Sequence, residues 1–199
     1  AVITNNFGGT ITAANNTIKT QNNSSNITVN NSGVISTTSI GHAIATATGT
    51  DSGMVINNFS TGQILKTSTA DAAQETIELG DSGTITNSGQ IRNDTSPSNT
   101  SIRLKGDNST VILQDGGIVV GRIISEGTGN KLQVNHGLGQ AYFYDTSGTL
   151  QLEDLAGNTI VEGSASAVGL GAQETVDELI ALKASNLRAA LKRYALSMG

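Results

Sequence analysis

Ile85-Thr86-Asn87-Ser88-Gly89-Gln90-Ile91 is the stretch that decides the fold, because versions of it recur down the first two-thirds of the chain. Its opening returns as Ile3-Thr4-Asn5, Val29-Asn30-Asn31, Ile56-Asn57-Asn58 and, more loosely, Leu113-Gln114-Asp115, each followed within a few residues by Gly and then Ile or Val. The polar anchors Asn5, Asn31, Asn58, Asn87 and Asp115 advance by 26 to 29 residues, a period that marks solenoids and arrays. A chain with this period is a stack of similar turns rather than an ordinary globular enzyme domain.

Each period carries two short alternating apolar pieces. One is the anchor phrase closing on Gly33-Val34-Ile35, Gly62-Gln63-Ile64 or Gly89-Gln90-Ile91; the other lies around Ile18, Ala43-Ile44-Ala45, Ile77-Glu78-Leu79 and Ile102-Arg103-Leu104. Alternation with a period of two, Ile, Val and Thr content, and bounding Gly, Asn, Ser and Asp make both strands. Helical repeats need an apolar period near 3.6 over about ten residues per unit, and residues 1 to 125 contain no such run. The expected architecture is all-β, a parallel β-helix over residues 1–125.

The anchors then acquire a physical role. Equivalent side chains stacked about 4.8 Å apart can pass amide hydrogen bonds from rung to rung, so Asn5, Asn31, Asn58, Asn87 and Asp115 are expected to form a buried ladder. Phe7 and Phe59 both close an Asn-Asn-Phe phrase, with Ser32 and Ser88 in the alternate rungs. Together they read as one packing position that alternates in size.

Composition agrees with thin rungs. The 199 residues include 24 Gly, one Pro, no Cys and no Trp, and aromatics make up only 3%, so the core must close on Ile, Val, Leu and Ala. A net charge of −5 without a basic cluster gives nothing to follow a phosphate backbone, and nucleic acid is not an expected partner. Absence of Cys removes disulfide and thiol chemistry and is compatible with export. No stretch approaches the roughly 20 apolar residues of a membrane helix, and the opening residues do not read as a signal peptide. Because Ala1 falls inside a repeat phrase, the chain is expected to be cut from something longer.

The pattern changes near residue 125. Lys131-Leu132-Gln133-Val134-Asn135 reads as one more rung, and Tyr142, Phe143 and Tyr144 bring together three of the six aromatics. Residues 126–162 are therefore expected to be a last rung and an aromatic β cap that covers the open end of the solenoid. Within the cap, residues 149–153 and 159–161 read as two antiparallel strands about a turn. Residues 163–172 are small-residue linker, and 173–199 read as an amphipathic helix. Thr175-Val176-Asp177-Glu178 has capping-box spacing, and an apolar stripe runs from Val176 to Met198.

Ile-Thr-Asn-Ser-Gly-Gln-Ile at 85–91, Gly-Asp-Asn-Ser-Thr-Val-Ile-Leu-Gln-Asp-Gly-Gly at 106–117 and Gly-Thr-Gly-Asn-Lys-Leu-Gln-Val at 127–134, together with the order repeat, cap, linker, helix, resemble the passenger domain of type V bacterial autotransporters. The resemblance implies a right-handed β-helix and an autochaperone-like role for 126–162. It also implies a pore helix at 173–199 carrying Lys183, Arg188, Lys192 and Arg193. It places the protein on the surface of a Gram-negative bacterium, attached to the outer membrane, with its own outer-membrane β-barrel as partner. No barrel sequence follows Gly199 in this chain, which departs from that pattern. The same stripe also permits a coiled coil and a trimeric surface fibre.

Chemistry-bearing residues are sparse. His42 and His136 are the only histidines, without Cys neighbours or metal-ligand spacing, and read as surface turn residues. Asp51, Asp71, Asp81, Asp94 and Asp107 fall in turns without the Arg, Lys and aromatic company of a sugar site. Gly106-Asp107-Asn108-Ser109 does not reproduce the calcium-binding nonapeptide. The sequence therefore leads to expectations of no catalytic residue, no cofactor and no metal, and of a structural surface stalk that displays a distal adhesive region. The alternative is a direct adhesin or self-associating module that binds glycans, a host surface or like copies.

Overall fold

The computed structural model describes residues 1–48, 50–67, 74–95, 99–140, 142–161 and 165–167. The chain winds as a β-solenoid with three parallel sheets along its sides. The first face stacks Val2–Asn5, Thr28–Asn31, Val55–Asn58, Thr84–Asn87, Thr110–Gln114, Lys131–Asn135 and Gln151–Asp154. The second stacks Thr10–Ala13, Val34–Thr37, Gln63–Lys66, Gln90–Asn93 and Ile118–Val120. The third stacks Ile18–Lys19, Ile44–Ala45, Ile77–Leu79, Thr100–Leu104, Arg122–Ser125 and Thr146–Gly148. Each turn thus carries three strands rather than two. The anchor phrase and its Gly-x-Ile tail, one apolar piece in the sequence, are split by a corner at the anchor Asn.

Register makes the core. On the first face Ile3, Val29, Ile56, Ile85, Val111, Leu132 and Leu152 are successive partners. Ile11, Ile35, Ile64, Ile91 and Val119 do the same on the second face. Ile18, Ile44, Ile77, Ile102 and Ile123 do so on the third. Most of these side chains are fully buried, each worth about 1.5–3 kcal/mol of apolar transfer. The aliphatic columns replace the ring-filled centre of a compact domain.

The first corner alternates in length. Asn5 to Gly9, Asn58 to Gly62 and Leu113 to Gly117 are four-residue advances, closed by hydrogen bonds from the Gly N–H to the Asn6, Phe59 and Gln114 carbonyls. Asn31 to Gly33 and Asn87 to Gly89 are two-residue advances. Gly9, Gly33, Gly62 and Gly89 each offer a carbonyl to the following turn. Glycine is required here by crowding: a Cβ on Gly33 would lie 2.2 Å from the Gly9 oxygen, and one on Gly89 would lie 2.2 Å from the Gly62 oxygen.

Above the last rungs, Tyr142–Tyr144 and Ile160–Val161 each pair antiparallel with Ala165–Ala167. Two expectations are corrected here. Residues 151–154 do not pair with 159–161; they continue the first face in parallel with Lys131–Asn135. Ala165–Ala167, inside the stretch read as linker, is the central strand of the cap sheet. The helix expected at 173–199, with Lys183, Arg188, Lys192 and Arg193, lies outside the described residues. Among the described residues no helix is long and apolar enough to cross a membrane.

Candidate functional site

Three polar constellations stand out from the aliphatic columns, and the anchor column is the first. Asn5 Nδ2 donates to Asn31 Oδ1, Asn31 Nδ2 to Asn58 Oδ1, and Asn58 Nδ2 to Asn87 Oδ1, each at 2.8 Å and all buried. The same amides also reach corner carbonyls, such as Gly62 and Gln90 from Asn58 at 3.2 Å. Asn87 ends the series by donating to the Ile118 carbonyl at 3.2 Å.

Asp115 does not belong to this column. Opposite Asn87 stands Leu113, then Val134, then Asp154, while Asp115 is exposed in the four-residue corner. The advance along the column is 26 residues at its start and 20 at its end, so a constant period overshoots the anchor. The Phe reading is corrected in the same way. The ladder uses the first Asn of Asn5-Asn6 but the second of Asn57-Asn58, which puts Phe7 one position away from Phe59. Both rings are exposed, at 80% and 48%.

Turn carboxylates are capped by backbone. Asp51 accepts from the Thr20 hydroxyl at 2.6 Å and from the Ala47, Thr48 and Ser24 N–H groups. Burial works to raise its pKa, and these donors outweigh it and hold the carboxyl below its ordinary value. Asp81 accepts from the Asp107 N–H at 2.8 Å, and Asp107 from the Thr128 N–H at 2.6 Å. Stacked acids in these turns therefore tie one turn to the next. Asp71 lies outside the described residues.

The second constellation is on the third face. His42, expected on the surface, is buried. Its Nδ1 lies 3.0 Å from Asn16 Oδ1, and its Nε2 lies 3.1 Å from Glu75 Oε2 and 4.0 Å from Glu78 Oε2. Glu75 is 1% exposed and its other oxygen is paired by Arg103. Lys105 Nζ lies 3.3 Å from Glu78 Oε1, and Glu126 lies 3.6 Å from Arg103 Nε. Burial works to raise the Glu75 pKa, and the His42 contact, its own backbone N–H and the Arg103 charge hold it below the ordinary value. Lys66 Nζ donates to the Gly41 carbonyl at 3.0 Å, fixing the backbone beside His42.

An open groove of about 370 Å³, lined among others by Asn16, Lys19, Ile40 and Gln74, reaches His42. The donor atoms of His42, Glu75 and Glu78 lie within 4.8 Å of one another, a chemically competent cation-binding set. Sequence spacing gave no hint of it, because the residues come from successive turns. The hint lay in the alignment of the third-face pieces: placing Ile44 on Ile77 and Ile102 puts His42 level with Glu75 and stacks Glu78 on Arg103.

The third constellation lies at the C-terminal end of the described turns. Tyr142 donates from its hydroxyl to Asp154 Oδ2 at 2.7 Å, and Tyr144 lies with its oxygen 2.6 Å from His136 Nε2. The His136 ring is edge-on to Tyr142 and stacked on Tyr144, with centroids 5.5 and 6.0 Å apart. His136 is thus half-buried in the cap instead of sitting in a surface turn. Phe143, between the tyrosines, is 66% exposed because strand alternation turns it outward. Burial pushes the Tyr144 hydroxyl up to about 12. Burial and the Asp154 carboxylate push Tyr142 up as well.

Comparison with protein-family models, with curated proteins and with solved structures finds no match to this chain. The functional reading therefore rests on the residues and their geometry.

Proposed function

We propose that this chain is a structural element of an autotransporter passenger: a cell-surface stalk whose capped C-terminal end starts folding and whose body carries a distal adhesive region. The observation that carries the reading is the change from stacked parallel rungs to an antiparallel sheet with an aromatic cluster near the C-terminal end. The Gln151–Asp154 rung, the antiparallel sheet and the Tyr142, Tyr144, His136, Asp154 cluster break the repeating pattern of the column, which suits a segment on which earlier rungs can template. The remaining columns are aliphatic or amide-laddered, as a load-bearing rod requires.

The test is display of the full-length gene product in a Gram-negative host, with protease accessibility on intact cells as readout. Tyr142→Ala with Tyr144→Ala should cut surface arrival several-fold while leaving synthesis unchanged. Equal arrival of the variant, or a product that never reaches the surface, would overturn the proposal. The coding sequence beyond Gly199 adds a second check, because the reading requires a β-barrel there.

A direct binding module is favoured by one specific feature, the exposed Phe7 and Phe59 on the same edge of the solenoid. Apolar rings in water serve contact with sugars or with like copies. Concentration-dependent association in light scattering, lost in Phe7→Ser with Phe59→Ser, would support this reading. A strict monomer that retains no glycan would exclude it.

A further inference from the structure

A protonated His42 ring donates to Glu75 from Nε2, whereas a neutral ring turns a lone pair toward that carboxylate. Asn16 Oδ1 accepts from the His42 backbone N–H at 2.9 Å, which fixes that atom as the amide oxygen. The same oxygen lies 3.0 Å from His42 Nδ1, so Nδ1 carries the ring hydrogen. A neutral ring then presents a bare Nε2 to Glu75 Oε2 across 3.1 Å. Two acceptors at that distance repel unless a cation lies between them.

We propose that His42 Nε2, Glu75 Oε2 and Glu78 Oε2 bind a divalent transition ion of the zinc type. A proton satisfies only two of these atoms, whereas three converge. Bonds of about 2.0–2.2 Å from zinc to nitrogen and oxygen place tetrahedral ligands about 3.4 Å apart, close to the observed 3.1 and 4.0 Å separations. The outer groups are arranged as such sites need: Arg103 holds the second oxygen of Glu75, Lys105 that of Glu78, and Asn16 orients the imidazole. The groove lined by Asn16, His42 and Gln74 opens beside the imidazole, and neither glutamate lines it. Because His42 and the two glutamates belong to successive turns of the third face, the ion staples one turn to the next.

The experiment titrates zinc chloride into the chelator-treated full chain by calorimetry. It also follows the His42 and His136 ring resonances by NMR, with His136 as an internal control. One equivalent of zinc should bind, shift the His42 resonances alone and raise the unfolding temperature. Glu78→Gln and His42→Ala should abolish binding. Asn16→Ala should weaken it about 10- to 100-fold, and Asn16→Asp, which keeps the acceptor, should retain it. Should His42→Ala fail to fold, Glu78→Gln and the cobalt-substituted wild type still decide: a visible d–d spectrum lost in Glu78→Gln supports the site. No zinc uptake at millimolar concentration, uptake unchanged in the variants, or a His42 ring that titrates as an imidazolium indifferent to zinc would overturn the proposal.

Discussion

Removing Asn58 tests whether the buried amides hold the stack together. Asn58→Ala deletes the donor to Asn87 Oδ1 and the acceptor for Asn31 Nδ2, both at 2.8 Å, and strips the Gly62 and Gln90 carbonyls of a partner. The site is 1% exposed, so water cannot replace the lost partners without opening the corner. Two lost links at about 1 kcal/mol each, plus orphaned buried groups at about 1–3 kcal/mol, give about 3–5 kcal/mol of destabilisation. That is a large fraction of the 5–15 kcal/mol typical of a whole domain. The neighbouring Asn57→Ala loses one half-buried bond to Asn30 Oδ1 and should cost less than about 1 kcal/mol. Asn5→Ala, with a single ladder link in the first rung, should fall between them. Urea unfolding followed by far-UV circular dichroism orders the three variants. If Asn58→Ala and Asn57→Ala were equally stable, the claim that the ladder carries rung-to-rung stability would be refuted.

Three further outcomes follow from the same geometry. Gly33→Ala, whose Cβ would meet two backbone oxygens at 2.2 and 2.6 Å, should cost about 3 kcal/mol. Gly8→Ala has open space and only a φ of +78° to resist it, and should cost about 1 kcal/mol in the same urea assay. In acid, the lowered carboxyls of Asp51 and Asp154 contribute stability that is complete above the ordinary Asp value of 3.8 and lost as pH falls through their folded values. Thermal unfolding between pH 5 and pH 2 should therefore show a steeper decline for wild type than for Asp51→Asn. In alkali, the raised Tyr144 contributes stability that is complete below pH 10 and lost as pH rises towards about 12, up to about 3 kcal/mol. Tyr144→Phe should flatten that limb; an unchanged limb would mean the cap is not what the base opens.

What was legible in the sequence depended on how each residue is constrained. The columns through Ile56 and Ile64 were visible because a buried face tolerates only one alternation, and a one-residue slip would expose every apolar side chain. Asn5, Asn31, Asn58 and Asn87 were visible because a buried amide needs its like on the next rung. Asp115 was misread because turns shorten towards the cap, so Leu113 takes the inward place while the acid falls in a longer corner. The cap sheet was assigned to the wrong strands because antiparallel partners are chosen by tertiary contact, and Ala165–Ala167 carries no strand-like pattern of its own. His42, Glu75 and Glu78 were missed because their chemistry is spread over two turns. Only an alignment of third-face strands, which the repeat period does permit, puts them side by side.

The shortening of the turns has a mechanical consequence. Hydrogen bonds between rungs run along the axis of the rod, so a pull on its two ends loads each rung in line and peels turns off singly. A turn of 20 to 29 residues releases about 70–100 Å of chain at about 3.4 Å per residue. A single molecule stretched end to end should therefore lengthen in discrete increments, the two smallest coming from the turns next to the C-terminal sheet.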